Sequence, residues 1–499
     1  MLLFYVSGIK GDTIMGGNYE KSIYNQLMDV MARLDSVEKE LHTEKIEHKE
    51  DIARLNKKID HLTHENHILK EENARLKSIL NHDSSNTSLP PSSDKAGSRA
   101  VNTYNGREKS SRKAGAQKGH KGTTLTKAEI EEKIRTGEYR HEIRTIGKAV
   151  GNRYITKYVL DLEVVPTITE FHIYGDKRGR IHIPKEYRSD VTYGPSVKAL
   201  SAVLYSEGVM SNDRIAAFLN AASAERLKLS AGSIYGFCRR LSEASVESIS
   251  HLENHMLDQE VAATDGTTVR INGRQANIRN FSVKDTVIYK AMKGKTLREL
   301  GEIDLLRKYT GTLIHDHETA LYHFGTGHGE CNVHLLRYLR KNTEEAGNPW
   351  SQKMAELLIE MNRERKKQQE EGKSSFHEER VSEYEKRYME LIQKGREENK
   401  NTHHKYAKNE EKALLKRMEK YRENHLLFLH DFTVPFDNNM SERDLRKAKN
   451  REKMAGGFRK ESGNEMYCAI LTVIETLKRR NMGLLENVKK LFMGTPAIF

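Results

Sequence analysis

Between residues 19 and 81 leucine recurs every seven positions, at Leu27, Leu34, Leu41, Leu55, Leu62, Leu69 and Leu76, with His48 the one interruption. Four residues after each come Met31, Glu38, Lys45, Ile52, Ile59, Asn66, Asn73 and Leu80. Leu at one core position with Ile and Asn at the other predicts a parallel two-stranded coiled coil, because a buried Asn pairs across the interface and fixes register. Glu38 and Lys45 weaken its middle. The alternative is a single long helix packed on its own chain. The pattern stops at NHDSSNTSLPPSSDKAGSR (81–99), whose Ser, Asn, Pro and Asp favour turns and starve a core. GREKSSRKAGAQKGHKG (106–122) follows, glycine-rich and basic, with Arg112, Lys113 and Lys118 suited to phosphate contact; a solvated linker is the plain alternative.

Further along, the periodicity changes. KYVLDLEVVPTITEFHIYG (157–175) alternates around Pro166 and predicts two strands of a small β-rich unit. Helical spacing returns in 196–208, 211–222 and 230–249, the last two opening on Ser211 and Ser230 as N-caps. Two short capped helices, the second carrying Arg239 and Arg240, resemble a helix-turn-helix, with ordinary helical packing as the alternative. Residues 260–294 read as three strands, with turn signals at Asn272–Gly273 and Lys284–Asp285. After a helical stretch (297–309) comes the apolar run TLI, with Asp316 just beyond it, where α/β sheets place their sites. Residues 341–430 are charged and helical. They predict a helical hairpin that touches DNA or a partner subunit, or else a solvated spacer.

The chain has 499 residues, which suggests about three domains. Lys+Arg outnumber Asp+Glu by 84 to 71, giving a net charge of +13, the balance of a protein with an anionic partner such as nucleic acid. Three distant cysteines, Cys238, Cys331 and Cys468, make no disulfide framework or CxxC pair. No apolar run is long enough to span a membrane, and the opening MLLFYVSGIKG is too short for a signal peptide; Met15 is a candidate start.

Three acids stand out by position. Asp265 lies in the first of the three strands, flanked by small residues, and Asp316 ends the TLI run. Glu442 shares a predicted helix face with Arg446, Lys449 and Lys453, at i, i+4, i+7 and i+11. Two aspartates on strands and a glutamate on a helix can hold divalent cations for phosphodiester chemistry. Among 71 acidic residues, spacing alone leaves surface charge as a full competitor.

The block VPFDNNMSERDLRKAKNREKMAGGFRKESGNEMYCAILTVIETLKRR (434–480) resembles the C-terminal signature of the insertion sequence 66 family of bacterial transposases. The zipper, residues 81–94, GAQKGHKGTTL (115–125), YGPSVKALSAVLYSEG (193–208), DGTTVRING (265–273) and HDHETALY (315–322) resemble further family blocks in the same order. The resemblance implies a DDE transposase with an RNase H-like catalytic core. Asp265, Asp316 and Glu442 would be its three catalytic, metal-binding carboxylates, with Mg²⁺ or Mn²⁺ as cofactor. The implied reaction is hydrolysis at each element end, then attack of the freed 3′-hydroxyl on target DNA. The family implies element ends and target DNA as partners, and accessory proteins of the same element. One departure is plain: no cysteine precedes Cys238, so the zinc module the family carries near residues 140–180 is missing and no structural zinc is expected. CNVHLLRYLR (331–340) resembles a family block and makes Cys331, His334 and Arg337 near-site candidates. His315 and His317, flanking Asp316, are expected to point away from it.

The expected fold is α+β and multidomain. It comprises a disordered start (1–18), a leucine-zipper coiled coil (19–81), a basic flexible linker (82–138), a small β-rich unit (139–191) and a helical segment with a candidate helix-turn-helix (192–255). The RNase H-like core follows in two parts (256–340 and 431–499) around a helical insertion (341–430). The expected protein is a cytoplasmic, nucleoid-associated bacterial transposase acting as a homodimer. The competing reading is a non-enzymatic, zipper-dimerised DNA-binding regulator or an inactive transposase remnant.

Overall fold

The computed structural model describes residues 17–87, 125–138, 140–146, 155–162, 164–184 and 187–495. The basic strip with Arg112, Lys113 and Lys118 lies outside them. Two compact units result: Met1–His82 with Thr402–Asn409, and Asp83–Asn401 with Glu410–Phe499. The first is built on one uninterrupted 64-residue helix, α1 (Gly17–Leu80). Its leucine seam is exposed, with Leu55 and Leu69 each 55% accessible.

The second unit begins with α2 (Lys127–Arg135), whose capping box joins Thr126 to Glu129. The β-rich unit expected over 139–191 is not found as paired strands: among the described residues this stretch is extended or turning, with no ladder. Its alternating apolar residues are exposed, Ile146 and Ile168 almost fully. Alternation predicts a strand only where a partner strand and a covered face exist.

The helical segment comprises α3 (Pro195–Ser206), α4 (Asn212–Ala222), α5 (Ala231–Ala244) and α6 (Val246–Leu257). Ser211 and Ser230 cap α4 and α5 as expected. The inner face of α5 buries Ile234, Phe237, Cys238 and Leu241 in the largest apolar core. Arg239 and Arg240 stay outside, the first paired with Glu243 at 3.7 Å and the second over the Phe237 ring.

The sheet follows. β1 (Val261–Ile271), β2 (Arg274–Ser282) and β3 (Val287–Met292) form an antiparallel meander, and β4 (Thr312–His315) and β5 (Gly327–Glu330) continue it in parallel, in the order β3-β2-β1-β4-β5. Asn272 and Gly273 both take positive φ, as a two-residue hairpin turn requires. Between β3 and β4 lie α7 (Leu297–Leu300) and α8 (Asp304–Lys308).

After β5 come α9 (Asn332–Ala346), α10 (Pro349–Glu370), α11 (Glu378–Lys400), α12 (Lys405–Lys420) and α13 (Arg422–His430); α14 (Asn439–Ala455), α15 (Glu461–Arg479) and α16 (Leu484–Phe492) close the chain. α15 covers the edge strand β3: Thr476 Oγ1 accepts the N–H of Val287 at 3.2 Å, and Thr472 Oγ1 that of Tyr289 at 2.9 Å. These hydroxyls satisfy backbone donors that an edge strand leaves open.

The region between β5 and α14 is no solvated spacer. Trp350, Met354, Leu358, Met361, Tyr384, Tyr388 and Ile392 are fully buried in a core that continues to Ala263 and Ile314 of the sheet. A buried carboxylate pins it to the sheet. Glu330, 2% exposed at the end of β5, accepts from Arg417 at 2.7 Å, His425 at 3.0 Å, His317 at 2.6 Å and the Tyr322 hydroxyl. Burial opposes its charge, but these donors outweigh burial and hold its pKa far below the usual carboxylate range. Removing one partner from a buried ion pair strands the other, which costs about 3 kcal/mol or more. Arg417→Met is therefore expected to lower stability by about 3 kcal/mol in chemical denaturation, and Lys412→Met, at an exposed position, to stay within about 0.5 kcal/mol of wild type.

Candidate active site

Two distant elements bring Asp316 and Glu442 into one group with Cys331 and His334, and a third carries Asp265 near enough for the charge of Asp316 to act on it. Asp265 sits mid-strand in β1, paired in register with Asn280 of β2. Asp316 follows the last residue of β4. Glu442 lies in the first turn of α14. Asp316 and Glu442 keep 22% and 24% of their side-chain surface open to solvent.

Two buried amides hold these elements together. Asn438 Nδ2 donates to Thr264 O at 3.0 Å and to Asp316 Oδ1 at 3.3 Å, and the Asn438 N–H donates to Cys331 Sγ at 3.3 Å. One residue just before α14 thus touches β1, the end of β4 and the start of α9. Asn280 Oδ1 accepts the Asp265 N–H at 3.0 Å and the Ser441 hydroxyl at 2.6 Å, and its Nδ2 donates to Ser441 O at 2.9 Å.

His334, 6% exposed, reaches the acids from the first turn of α9. Its Nδ1 lies 3.2 Å from Asp316 Oδ1 and 3.7 Å from Glu442 Oε1. Arg337, one turn on, meets Nε2 at 3.1 Å. A guanidinium can only donate, so Nε2 accepts and the ring proton sits on Nδ1, facing the carboxylates. Burial disfavours a charged imidazole, but the Asp316 carboxylate outweighs it and raises the His334 pKa. Asp316, Cys331, His334 and Glu442 offer ligand atoms all within 4.8 Å of one another. His334 Nδ1 lies against both carboxylates, nearer to Asp316 than to Glu442.

The electrostatics are strained. Burial first, and then the charge of Asp316, push the Asp265 carboxyl up to about 6. Burial also raises Glu442. Burial opposes ionisation of Asp316 too, but His334 and the Asn438 amide hold it below the usual carboxylate range. Lys449 lies close enough to favour ionisation of both Asp265 and Glu442, and Lys295 that of Asp265. The oxygen-rich cluster suits a divalent cation. Asp316 and Glu442 can supply carboxylate ligands within that group, and Glu442 Oε1 is a buried acceptor with no hydrogen-bond partner.

The other expected site residues are distributed as follows. Cys331, His334 and Arg337 join the acids. Lys449 borders them, while Arg446 and Lys453 are exposed on the same helix. Arg239 and Arg240 are exposed on α5, and nothing brings them to the acids. His315 and His317 turn away from Asp316: His315 meets His328 at 3.3 Å and His317 meets Glu330. Sequence reasoning passed over Asn438, although it stands in the quoted Asn-Asn pair, and Asn280. An Asn inside a strand, where it is disfavoured, is the one signal Asn280 offered.

Comparison with known families places the chain in the transposase class. Residues 190–466 match the model described as Transposase IS66 family, more than half of the chain, and the protein belongs to that family. Residues 25–126 match a family of unknown function (DUF6444). No curated protein matches significantly.

Asn438→Ala would leave Thr264 O and Asp316 Oδ1 without this donor. It is expected to cost about 2 kcal/mol in thermal or denaturant unfolding, whereas Arg446→Ala on the exposed face of α14 stays within about 0.5 kcal/mol of wild type.

Proposed function

We propose that the chain is a metal-dependent DDE transposase that cleaves phosphodiester bonds at the ends of an insertion sequence and transfers the 3′-hydroxyl ends to target DNA. One observation supports the reading: Asp316 and Glu442, 126 positions apart in sequence, share a group with Cys331 and His334, and the pKa of Asp265 is raised by burial and then by the charge of Asp316. The sheet order β3-β2-β1-β4-β5, with its antiparallel meander and two parallel strands, supports an RNase H-like core. Divalent cations such as Mg²⁺ or Mn²⁺, held by Asp265, Asp316 and Glu442, would activate the attacking oxygen and stabilise the leaving one. The chain's own residues orient these ligands. Asn438 and His334 fix Asp316, Asn280 fixes the Asp265 backbone and the helix start that carries Glu442, and Lys449 lies where a phosphate would approach.

DNA is the substrate class that fits a net charge of +13. Arg446, Lys449 and Lys453 on α14, Arg239 and Arg240 on α5, and Arg112, Lys113 and Lys118 in the basic strip are its proposed contacts. The described residues contain no helix long and apolar enough to cross a membrane, and we place the protein with the bacterial nucleoid in the cytoplasm. The exposed leucine seam of α1 is proposed to pair with that of a second copy.

On a plasmid bearing the element's own ends, with Mg²⁺ or Mn²⁺, the wild type is expected to nick at the ends. Asp316→Asn is expected to bind without nicking. Equal nicking by both proteins would overturn the triad, and binding without nicking by both, even with the element's other products present, would favour the regulator reading. The full chain is expected to sediment as a dimer that dissociates when Leu55, Leu62 and Leu69 are all changed to Lys; a wild-type monomer at micromolar concentration would refute the zipper.

A further inference from the structure

Beside Asp316 the backbone does something unusual. His317 adopts φ of +61°, a left-handed conformation that non-glycine residues rarely take. Such outliers persist where the surroundings hold them, and they cluster at functional sites. Here the turn sends the His317 ring away from Asp316 and into an aromatic group. The His317 and Tyr421 ring centroids are 4.8 Å apart, edge to face. Tyr421 stacks on Tyr322 at 5.0 Å and 29°, and Tyr322 lies 4.6 Å from His328. The Tyr322 hydroxyl is tied to buried Glu330, which fixes the orientation of the stack.

This is more than core packing. Tyr322 and Tyr421 are only partly buried, and Tyr421 occupies the junction of α12 and α13 rather than an inner helix face. Lys420, itself exposed, is the cation over the Tyr421 ring, with Nζ 4.8 Å from its centroid. A lysine is a flexible cover: it can swing to a phosphate and leave the ring to a nucleobase. Every base has a π-face, so an aromatic shelf flanked by a cation suits an unpaired base of any identity.

We propose that Tyr421, backed by Tyr322 and His317, is a stacking platform for one unpaired nucleobase flanking the scissile phosphate. The proposal rests on the reading of Asp316 as a catalytic carboxylate, since it is the His317–Asp316 peptide link that puts the platform beside the chemistry. Strand cleavage requires access to a phosphate within a duplex, and a base drawn out of its stack onto Tyr421 would hold the local opening.

The test is a cycle between protein and DNA. End-duplexes carry a single abasic nucleotide, moved one position at a time around the cleavage point. Equilibrium binding is measured for the full chain, alongside nicking. Wild type should lose about 5- to 150-fold at one position, the range expected when one base–aromatic stack disappears. Tyr421→Leu should lose a similar factor on intact DNA and lose nothing more at that position. Tyr421→Trp should restore both the affinity and the sensitivity. If wild type shows no position-specific loss, the proposal falls, even where nicking proceeds. If Tyr421→Leu is impaired equally on intact and abasic duplexes, its role is structural and the proposal falls. A wild type that binds but never nicks would sink the catalytic reading, while the abasic scan would still decide on the platform; no DNA binding at all would overturn both.

Discussion

The arrangement of the site hangs on a few buried amide hydrogen bonds. Asp265, Asp316 and Glu442 belong to a strand, a strand end and a helix, and like-charged carboxylates repel. Nothing about the acids themselves would gather them. Asn280 and Asn438 do so, because an amide carries donors and an acceptor and no charge. Asn280 takes the Asp265 N–H and the Ser441 hydroxyl on one atom and serves Ser441 O with the other. A buried amide left unpaired is costly, so these contacts admit little slippage of α14 against β1. Asp444 extends the same lock: its carboxylate accepts from Ser282 at 2.6 Å and is paired with Arg479 of α15.

Much of the fold was legible because its signals were local. The Asn272–Gly273 turn placed β1 and β2, the apolar run before Asp316 placed β4, and the serine caps placed α4 and α5. Glu442 could be put on a helix face with its basic neighbours by periodicity alone. What was not legible depended on distant partners. Asn280 reads as a weak strand residue until Ser441, 161 positions away, is beside it. The alternation over 157–175 promised strands, but no partner strand covers the described part of that segment. In each case the local pattern was real, and the deciding interaction lay elsewhere in the chain.

The region between β5 and α14 shows how composition can hide a core. Its helices are so rich in charge that they suggest a hairpin touching DNA or a partner, or a solvated spacer, yet Trp350, Met354, Leu358 and Met361 repeat at helical spacing along α10 and all are buried. The Trp350 indole N–H donates to Glu411 at 2.6 Å, and Glu411 also accepts from Asn348 and Asn399. Glu330 joins this core to the sheet. Because Glu330 also grips His317, the residue after Asp316, the helical region is mechanically continuous with the proposed catalytic loop rather than appended to it.

This continuity bears on the electrostatics of the proposed site. Asp265 and Glu442 are held in surroundings that discourage their ionised forms, which costs stability whenever they are charged. A fold optimised only for stability would have replaced them or paired each with its own cation. Instead the nearby positive groups are partly shared: Lys449 serves both Asp265 and Glu442, Lys295 serves Asp265, and His334 Nδ1 lies near both Asp316 and Glu442. Partial compensation leaves negative potential that a divalent cation can satisfy further, while the buried amides prevent the acids from relaxing apart. Rigidity from neutral hydrogen bonds and attraction from unpaired charge are thus separate contributions, made by different residues, and the site depends on both.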